Sequence, residues 1–218
     1  MLNEIKQPRW GFVEIVLTYG CILAISVVYG LSKGKIAELV RVLELPDIIL
    51  TYFSIGFIIQ FISTVLLVLA FTMLINKAAL ADLGIKKPHH GTDYFRYGVV
   101  GGIILMLVMI ILSIPINYLH PGIEPQVYED ILRAVTGFPQ FILIFIMGAV
   151  LAPLSEELFY RGMIYPVFRK YLGPGWGMVV AGLVFGLAHW DIWRLIPLSI
   201  GGALLCLIYE KTGSIFIS

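Results

Sequence analysis

Charge is scarce in this 218-residue chain: Lys, Arg, Asp and Glu make up 13% of it, and the net charge is +1. Soluble domains carry about 25% charged residues, so an ordinary water-soluble globule is excluded. The near-neutral balance, without any basic cluster interleaved with aromatics, excludes a nucleic-acid partner. Only two cysteines occur, Cys21 and Cys206, both inside apolar runs. They imply neither a disulfide framework nor a cysteine metal motif, and they read as small membrane-buried thiols. No His-Glu-x-x-His helix, internal repeat, low-complexity stretch or soluble linker is visible, and paired membrane aspartates are lacking. The first apolar run has no small-x-small cleavage site after it, which favours a retained anchor over a cleaved signal.

Apolar residues fill the space that charge leaves. They form 59% of the chain, and mean hydropathy is +0.93. These values predict an all-α, polytopic helical membrane protein, a single integral domain over residues 1–218. Six apolar segments are expected: Phe12–Leu31, Ile48–Ile75, Tyr97–Ile116, a fourth starting at Phe141, Trp176–Trp190 and Leu195–Tyr209. Ser214 to Ser218 reads as the start of a seventh, with a further helix expected beyond Ser218. With the N-terminus inside, the cytoplasmic pieces hold Lys6, Arg9, Lys77, Lys86, Lys87, Arg96, Arg161, Arg169, Lys170 and Lys211. The outer pieces hold Lys33, Lys35, Arg41, Arg133 and Arg194. Ten against five predicts a multi-pass cell-membrane protein with a cytoplasmic N-terminus.

One polar cluster interrupts the fourth segment. The apolar run Phe141 to Ala152 covers only about 18 Å as helix, against a bilayer core of about 30 Å. The span therefore continues through Glu156 and Glu157 or stops part-way. Carboxylates at membrane depth are costly and mark function. Glu157 and Arg161 stand four apart with the acid first, the favourable order for a helical ion pair. Glu156 points about 100° away and has no in-helix cation, which suits a general base. The alternative is a helix N-terminus capped by Ser155 after Pro153, with acids in its first turn.

The fifth segment carries Phe185 and His189 on one face, with Gly182 and Gly186 permitting close helix approach. Gly173-Pro174-Gly175 forces a turn between the two segments. Glu156 lies 17 residues before Gly173 and His189 lies 15 after Pro174. Antiparallel arms of that length, about 22–26 Å as helix, bring both side chains to one depth. A carboxylate and a neutral imidazole in one sheltered layer can activate water for attack on a peptide carbonyl. The cavity is expected to open on the cytoplasmic side. Zinc is the rival activator, since His and Glu both ligate it, yet only two ligands are in sight. His89, His90 and His120 lie on loops away from the pair. Metal-free water activation is therefore preferred, with the cofactor left open.

These residues resemble the CAAX protease and bacteriocin-processing (Abi) family of intramembrane endopeptidases, type II CAAX prenyl endopeptidases among them. Its Glu-Glu-x-x-x-Arg motif is matched by Glu156, Glu157 and Arg161, and its Phe-x-x-x-His motif by Phe185 and His189. Ala81 to Pro88 is similar to a Leu-Gly-basic-Pro segment of the family, and Thr212 to Ile215 to the lead-in of its last catalytic helix. The resemblance covers a protease-like core of approximately residues 80–218. It implies Glu156 as catalytic carboxylate and His189 as its partner, supported by Glu157, Arg161 and Phe185. It also implies a prenylated or leader-bearing peptide substrate and contact with membrane lipids. The family's third motif, His-x-x-x-Asn, has no counterpart before Ser218. That favours, as the rival reading, a non-catalytic membrane binding or immunity protein that keeps the fold. A proton-relaying transporter would show paired broken helices in two related halves, and none is legible.

Overall fold

The computed structural model describes residues 5–43, 47–88 and 90–218, and among them every regular element is helical. Helix α1 (Phe12–Leu31) is followed by the short α2 (Lys33–Val42) and by α3 (Ile48–Leu69), which runs on as a π-helical turn, Ala70–Ile75. Asp47 starts α3 by accepting the Leu50 N–H at 2.9 Å, an N-cap interaction. A π-helical turn, Tyr94–Val99, leads into α4 (Val100–Leu119), and α5 (Val127–Ala134) lies in the connection that follows. Then come α6 (Phe138–Ile146), α7 (Ala152–Glu156), α8 (Tyr165–Leu187) and α9 (Leu195–Thr212).

Among the described residues, five helices are long and apolar enough to cross a membrane: Phe12–Leu31, Ile48–Ile75, Tyr94–Leu119, Phe138–Leu187 and Leu195–Thr212. The fourth has 50 residues, about 75 Å as straight helix, far more than a bilayer needs. It is two arms folded at Gly173, whose φ of 75° and ψ of 170° no helix contains. The expected fourth and fifth segments are these two arms. The fold is tight: a Cβ on Gly177 would lie 2.9 Å from the backbone N of Arg169. The Tyr160 and Phe185 rings, thirteen residues before Gly173 and twelve after, meet edge-on at 4.9 Å. The arms are thus antiparallel, in register about the turn.

Glycine sets how close the returning arm comes to α9. A Cβ at Gly182 would sit 2.7 Å from the Ala203 N and press on the Ser199 carbonyl. One at Gly186 would lie 2.8 Å from the Leu195 carbonyl. Such small-residue contacts drive helix association where lipid is as apolar as the side chains.

The descending arm is not a plain α-helix. It widens to π-helical bonding at Met147–Leu151 and again at Glu157–Ile164. Each stretch ends two residues before a proline, Pro153 and Pro166. Proline donates no N–H and its ring collides with the carbonyl four residues back, so a widened turn absorbs the defect. The helix therefore passes through both carboxylates unbroken. Ser155 donates to the Ala152 carbonyl at 2.9 Å, and so does not cap a helix start.

The two ends of the bundle differ. At one end the N-terminal segment, the loop around Gly84, the Gly173 turn and the end of α9 are bound together. The Trp10 indole N–H donates to the Met163 carbonyl at 2.8 Å. Ser214 donates to the Lys86 carbonyl at 2.6 Å, and the Ile215 N–H to the Gly84 carbonyl at 3.0 Å. Gly84 (φ 76°) and Gly213 (φ 64°) both adopt left-handed backbone at this junction, with Tyr209 pressed on Gly84. The Glu210 carboxylate accepts from Arg169 Nε at 2.8 Å, Arg169 Nη2 at 2.9 Å and the Tyr165 hydroxyl at 2.6 Å. Residues 215–217 form a turn, with Ile215 and Ile217 buried. At the other end, α5 and the loop 188–194 meet through Arg194, whose Nη2 lies 3.6 Å from Glu129 Oε1.

Candidate active site

Glu157 and Arg161 form the expected pair: Nη1 lies 2.8 Å from Oε1, and both side chains are almost wholly enclosed. Arg161 also donates from Nη2 to the Gly202 carbonyl at 3.2 Å and lies 4.9 Å over the Phe185 ring. Its charge is thereby shared among a carboxylate, a carbonyl and a π face from three helical segments. That is a fastening, and the pair does not reach the cavity beside it.

Glu156 faces the other way. It lines a cavity of about 430 Å³ together with His189. The two side chains are within electrostatic range of each other. His189 Nδ1 lies 2.9 Å from the Phe185 carbonyl. A carbonyl only accepts, so Nδ1 carries the proton in this bond and the neutral ring keeps its lone pair on Nε2. Phe185 stands behind the cavity wall. Its ring meets His189 at 4.8 Å and Tyr160 at 4.9 Å, which fixes the imidazole from the rear.

The N-terminal half completes the cavity. Ser26 from α1 and Gln60 and Thr64 from α3 line it with Glu156 and His189. These residues escaped the sequence reading, although a primary amide midway along a 28-residue apolar helix is itself a signal. The Tyr165–Arg169–Glu210 network was missed as well. An acid in the last turn of α9 opposes the helix dipole and so calls for basic partners, here an i, i+4 Tyr–Arg pair. A Gly-x-Ser nucleophile motif was not expected from the sequence, yet Gly30-Leu31-Ser32-Lys33-Gly34 has the spacing of a serine nucleophile elbow. Ser32 donates to the Val28 carbonyl at 2.8 Å at an exposed junction of two helices, not the strand-to-helix turn such a nucleophile needs.

A second cavity, about 670 Å³ and almost purely apolar, adjoins the first. Tyr19, Phe159, Tyr160, Ala188 and Trp190 line both. Trp190 is 81% exposed and has φ 53°, a left-handed backbone that bulky residues rarely adopt. Asp191 beside it accepts from the N–H groups of Trp193 (3.0 Å) and Arg194 (3.1 Å) and pairs with Arg194 Nη1 at 2.8 Å. Partial burial works to raise its carboxyl, but the Arg194 N–H and guanidinium outweigh that and hold it below the usual range.

The position of this site corrects one expectation. His189 and Trp190 also line a third cavity, formed with Gly122 to Val127 and Asp191 to Arg194. The site therefore opens at the end that holds α5, away from Gly173 and the N-terminal segment. Cytoplasmic entry and a cytoplasmic N-terminus cannot both hold, because the two lie at opposite ends. Distance from the Gly173 turn sets the depth of the pair but not the end at which its cavity opens.

Among the described residues no group of three or more His, Cys, Asp or Glu side chains converges as a metal set. Glu156 and His189 would offer zinc two ligands where three are usual, so the residues present do not fit a catalytic zinc centre. His89 lies outside the described residues, and His120 stacks on Trp193 at 3.4 Å.

Residues 138–218 match the family described as type II CAAX prenyl endopeptidase Rce1-like. That stretch holds Glu156, Glu157, Arg161, Phe185 and His189. No curated protein and no solved structure matches the chain.

Proposed function

We propose that this multi-pass membrane protein is an intramembrane endopeptidase in which Glu156 and His189 activate water between them. The observation that carries the reading is the shared cavity: a carboxylate outside the Glu157–Arg161 ion pair and an imidazole held through Nδ1 on the Phe185 carbonyl line one space inside a family-matched segment. The water oxygen attacks the peptide carbonyl carbon while Glu156 takes a proton. His189 orients the water, and the proton held on Glu156 passes to the leaving amine as the C–N bond breaks. Arg161 and Glu157 hold the helix that presents Glu156, and Phe185 holds His189.

The neighbouring apolar cavity supports a substrate that brings an apolar chain, either side chains or a lipid attached to the peptide. Its roughly 670 Å³ suits a group of that size, and lipid-facing walls make its filling favourable. The test uses the full chain in lipid nanodiscs with two quenched-fluorescent peptides, one carrying a farnesylated cysteine and one without it. Cleavage of either by wild type, lost in both Glu156→Gln and His189→Ala, is the expected result. Equal turnover by Glu156→Gln overturns the assignment. No cleavage, with lipidated peptide still bound by wild type, favours the binding-protein reading.

A further inference from the structure

We propose that a cavity enclosed by α1, α3 and α5 is a subsite for the peptide on one side of the scissile bond, and that the Gln60 carboxamide holds the peptide backbone at its entrance. The inference rests on the peptidase reading for the reaction and adds to it the course of the substrate chain.

Continuity carries the first part. This fourth cavity, about 430 Å³, shares Ser26, Phe57 and Gln60 with the Glu156–His189 cavity, so the two spaces meet across these side chains. One stripe of α3 runs through both. Phe53, Gly56, Phe57 and Gln60 line the fourth cavity, and Phe57, Gln60 and Thr64 line the first. Positions three and four apart lie on one helix face. Gly56 and Thr64 are eight residues apart, about 12 Å of helix. An extended peptide rises about 3.3 Å per residue, so about four of its residues fit along that face. The far end is closed. Tyr29 stacks on Tyr52 at 4.8 Å, any Cβ at Gly56 would collide with the Tyr29 ring, and Val127 and Ile131 of α5 complete the wall. A space of this size and lining takes a bulky apolar side chain.

Gln60 carries the second part. It stands 12 residues after Ile48 in the span that ends at Ile75, which puts an amide at membrane depth. Polar groups in a span are commonly used to bond a neighbouring helix. Gln60 is exposed instead of packed, and among the described residues its carboxamide makes no hydrogen bond. The Ser26 hydroxyl beside it is committed, donating to the Ile22 carbonyl at 3.0 Å, and Phe57 has no polar group to offer. Of the three entrance side chains, Gln60 alone has free donors. A carboxamide presents an N–H beside a C=O, the same two groups as a peptide unit, so the two can pair reciprocally. An extended chain leaves its backbone groups open for such pairing, whereas a helical one bonds them internally. The contact is made to the bound chain and not to the reacting bond, so it strengthens binding alike before and during reaction.

The test uses the full chain in lipid nanodiscs and the farnesylated quenched peptide, N-methylated at one backbone nitrogen at a time outside the scissile bond. Gln60→Leu should raise KM about tenfold, the scale of two neutral hydrogen bonds, with kcat little changed. One N-methyl group within about four residues of the cleaved bond should cost wild type a similar factor and cost Gln60→Leu almost nothing further. Gln60→Asn, with both amide groups on a shorter stem, should recover part of the loss. An unchanged KM in Gln60→Leu, or the same N-methyl penalties as in wild type, overturns the proposal and leaves the peptidase reading standing. Leucine suits an apolar span, so unfolding should be unchanged; a lowered unfolding temperature would make the amide a packing group and overturns the proposal too. Where wild type cleaves nothing, fluorescence anisotropy of the same peptide decides. Binding about tenfold weaker in Gln60→Leu keeps the subsite and sinks the peptidase reading, while equal binding or none sinks both.

Discussion

The Arg161 guanidinium lies 4.9 Å over the Phe185 ring while its Nη1 holds Glu157 at 2.8 Å, so the two sequence motifs are joined through a single side chain. Phe185 in turn backs His189. The first motif thus positions the second across the folded arms. Neither could be repositioned without moving the other.

Breaking that joint exposes a buried charge without a partner. Arg161→Met should lower stability by about 3–5 kcal/mol, the usual cost of removing one member of a buried pair. Glu157→Gln, which leaves Arg161 its Gly202 and Phe185 contacts, should cost less. Thermal unfolding in detergent, followed by tryptophan fluorescence, measures both.

Glu156→Gln should behave in the opposite way. Among the described residues the side chain makes no ion pair, and it lines a cavity, so unfolding should shift little while peptide cleavage disappears. Comparable losses of stability in Glu156→Gln and Glu157→Gln would remove the distinction between the two acids.

The Asp191–Arg194 contact should depend on pH in one direction. Asp191 has its carboxyl held below the ordinary value, so it binds its proton less readily when folded than when unfolded. Its contribution is complete above the unfolded value, about 3.9, and is lost as pH falls through the lower folded one. Fluorescence of Trp190 and Trp193 should hold steady through neutral pH and change only in strong acid. Asp191→Asn should flatten that acid step.

At Trp190, glycine should be more stable than alanine by about 1 kcal/mol, because only glycine adopts the left-handed backbone without strain. Comparing Trp190→Gly with Trp190→Ala separates strain from the loss of the ring, which both share. Equal unfolding temperatures would mean that the loop relaxes once the ring is gone.

Hydropathy located the spans because burial in lipid depends on composition alone. Phe12–Leu31 and Ile48–Ile75 agree to the residue. The third helix starts at Tyr94 rather than Tyr97, since Arg96 can lie within a helix while its charge reaches water, which an apolar window discounts. The fifth segment ends at Leu187 rather than Trp190 because Ala188 to Arg194 turn back on the Asp191 bonds. At the site, spacing alone revealed the Glu157–Arg161 pair, and a symmetric turn revealed the shared layer of Glu156 and His189. Ser26, Gln60 and Thr64 were invisible because their place in the cavity depends on how α1 and α3 rotate against the descending arm. The docking of Lys86 on Ser214 spans 128 residues and no local pattern encodes it.

The short returning arm has an effect on the surrounding lipid. A bilayer core of about 30 Å cannot match neighbouring helices of about 21 and 27 Å without thinning, tilt or snorkelling at their ends. Thinning on this flank would draw headgroups and water toward Trp190 and Trp193. A helical peptide drifting along that flank would lose hydrocarbon cover over its last turns, where its backbone amides could then hydrogen-bond to water. An extended strand is the form in which a peptide carbonyl is open to attack. Under the proposed peptidase reading, the short returning arm would give such a peptide a place to fray near Glu156.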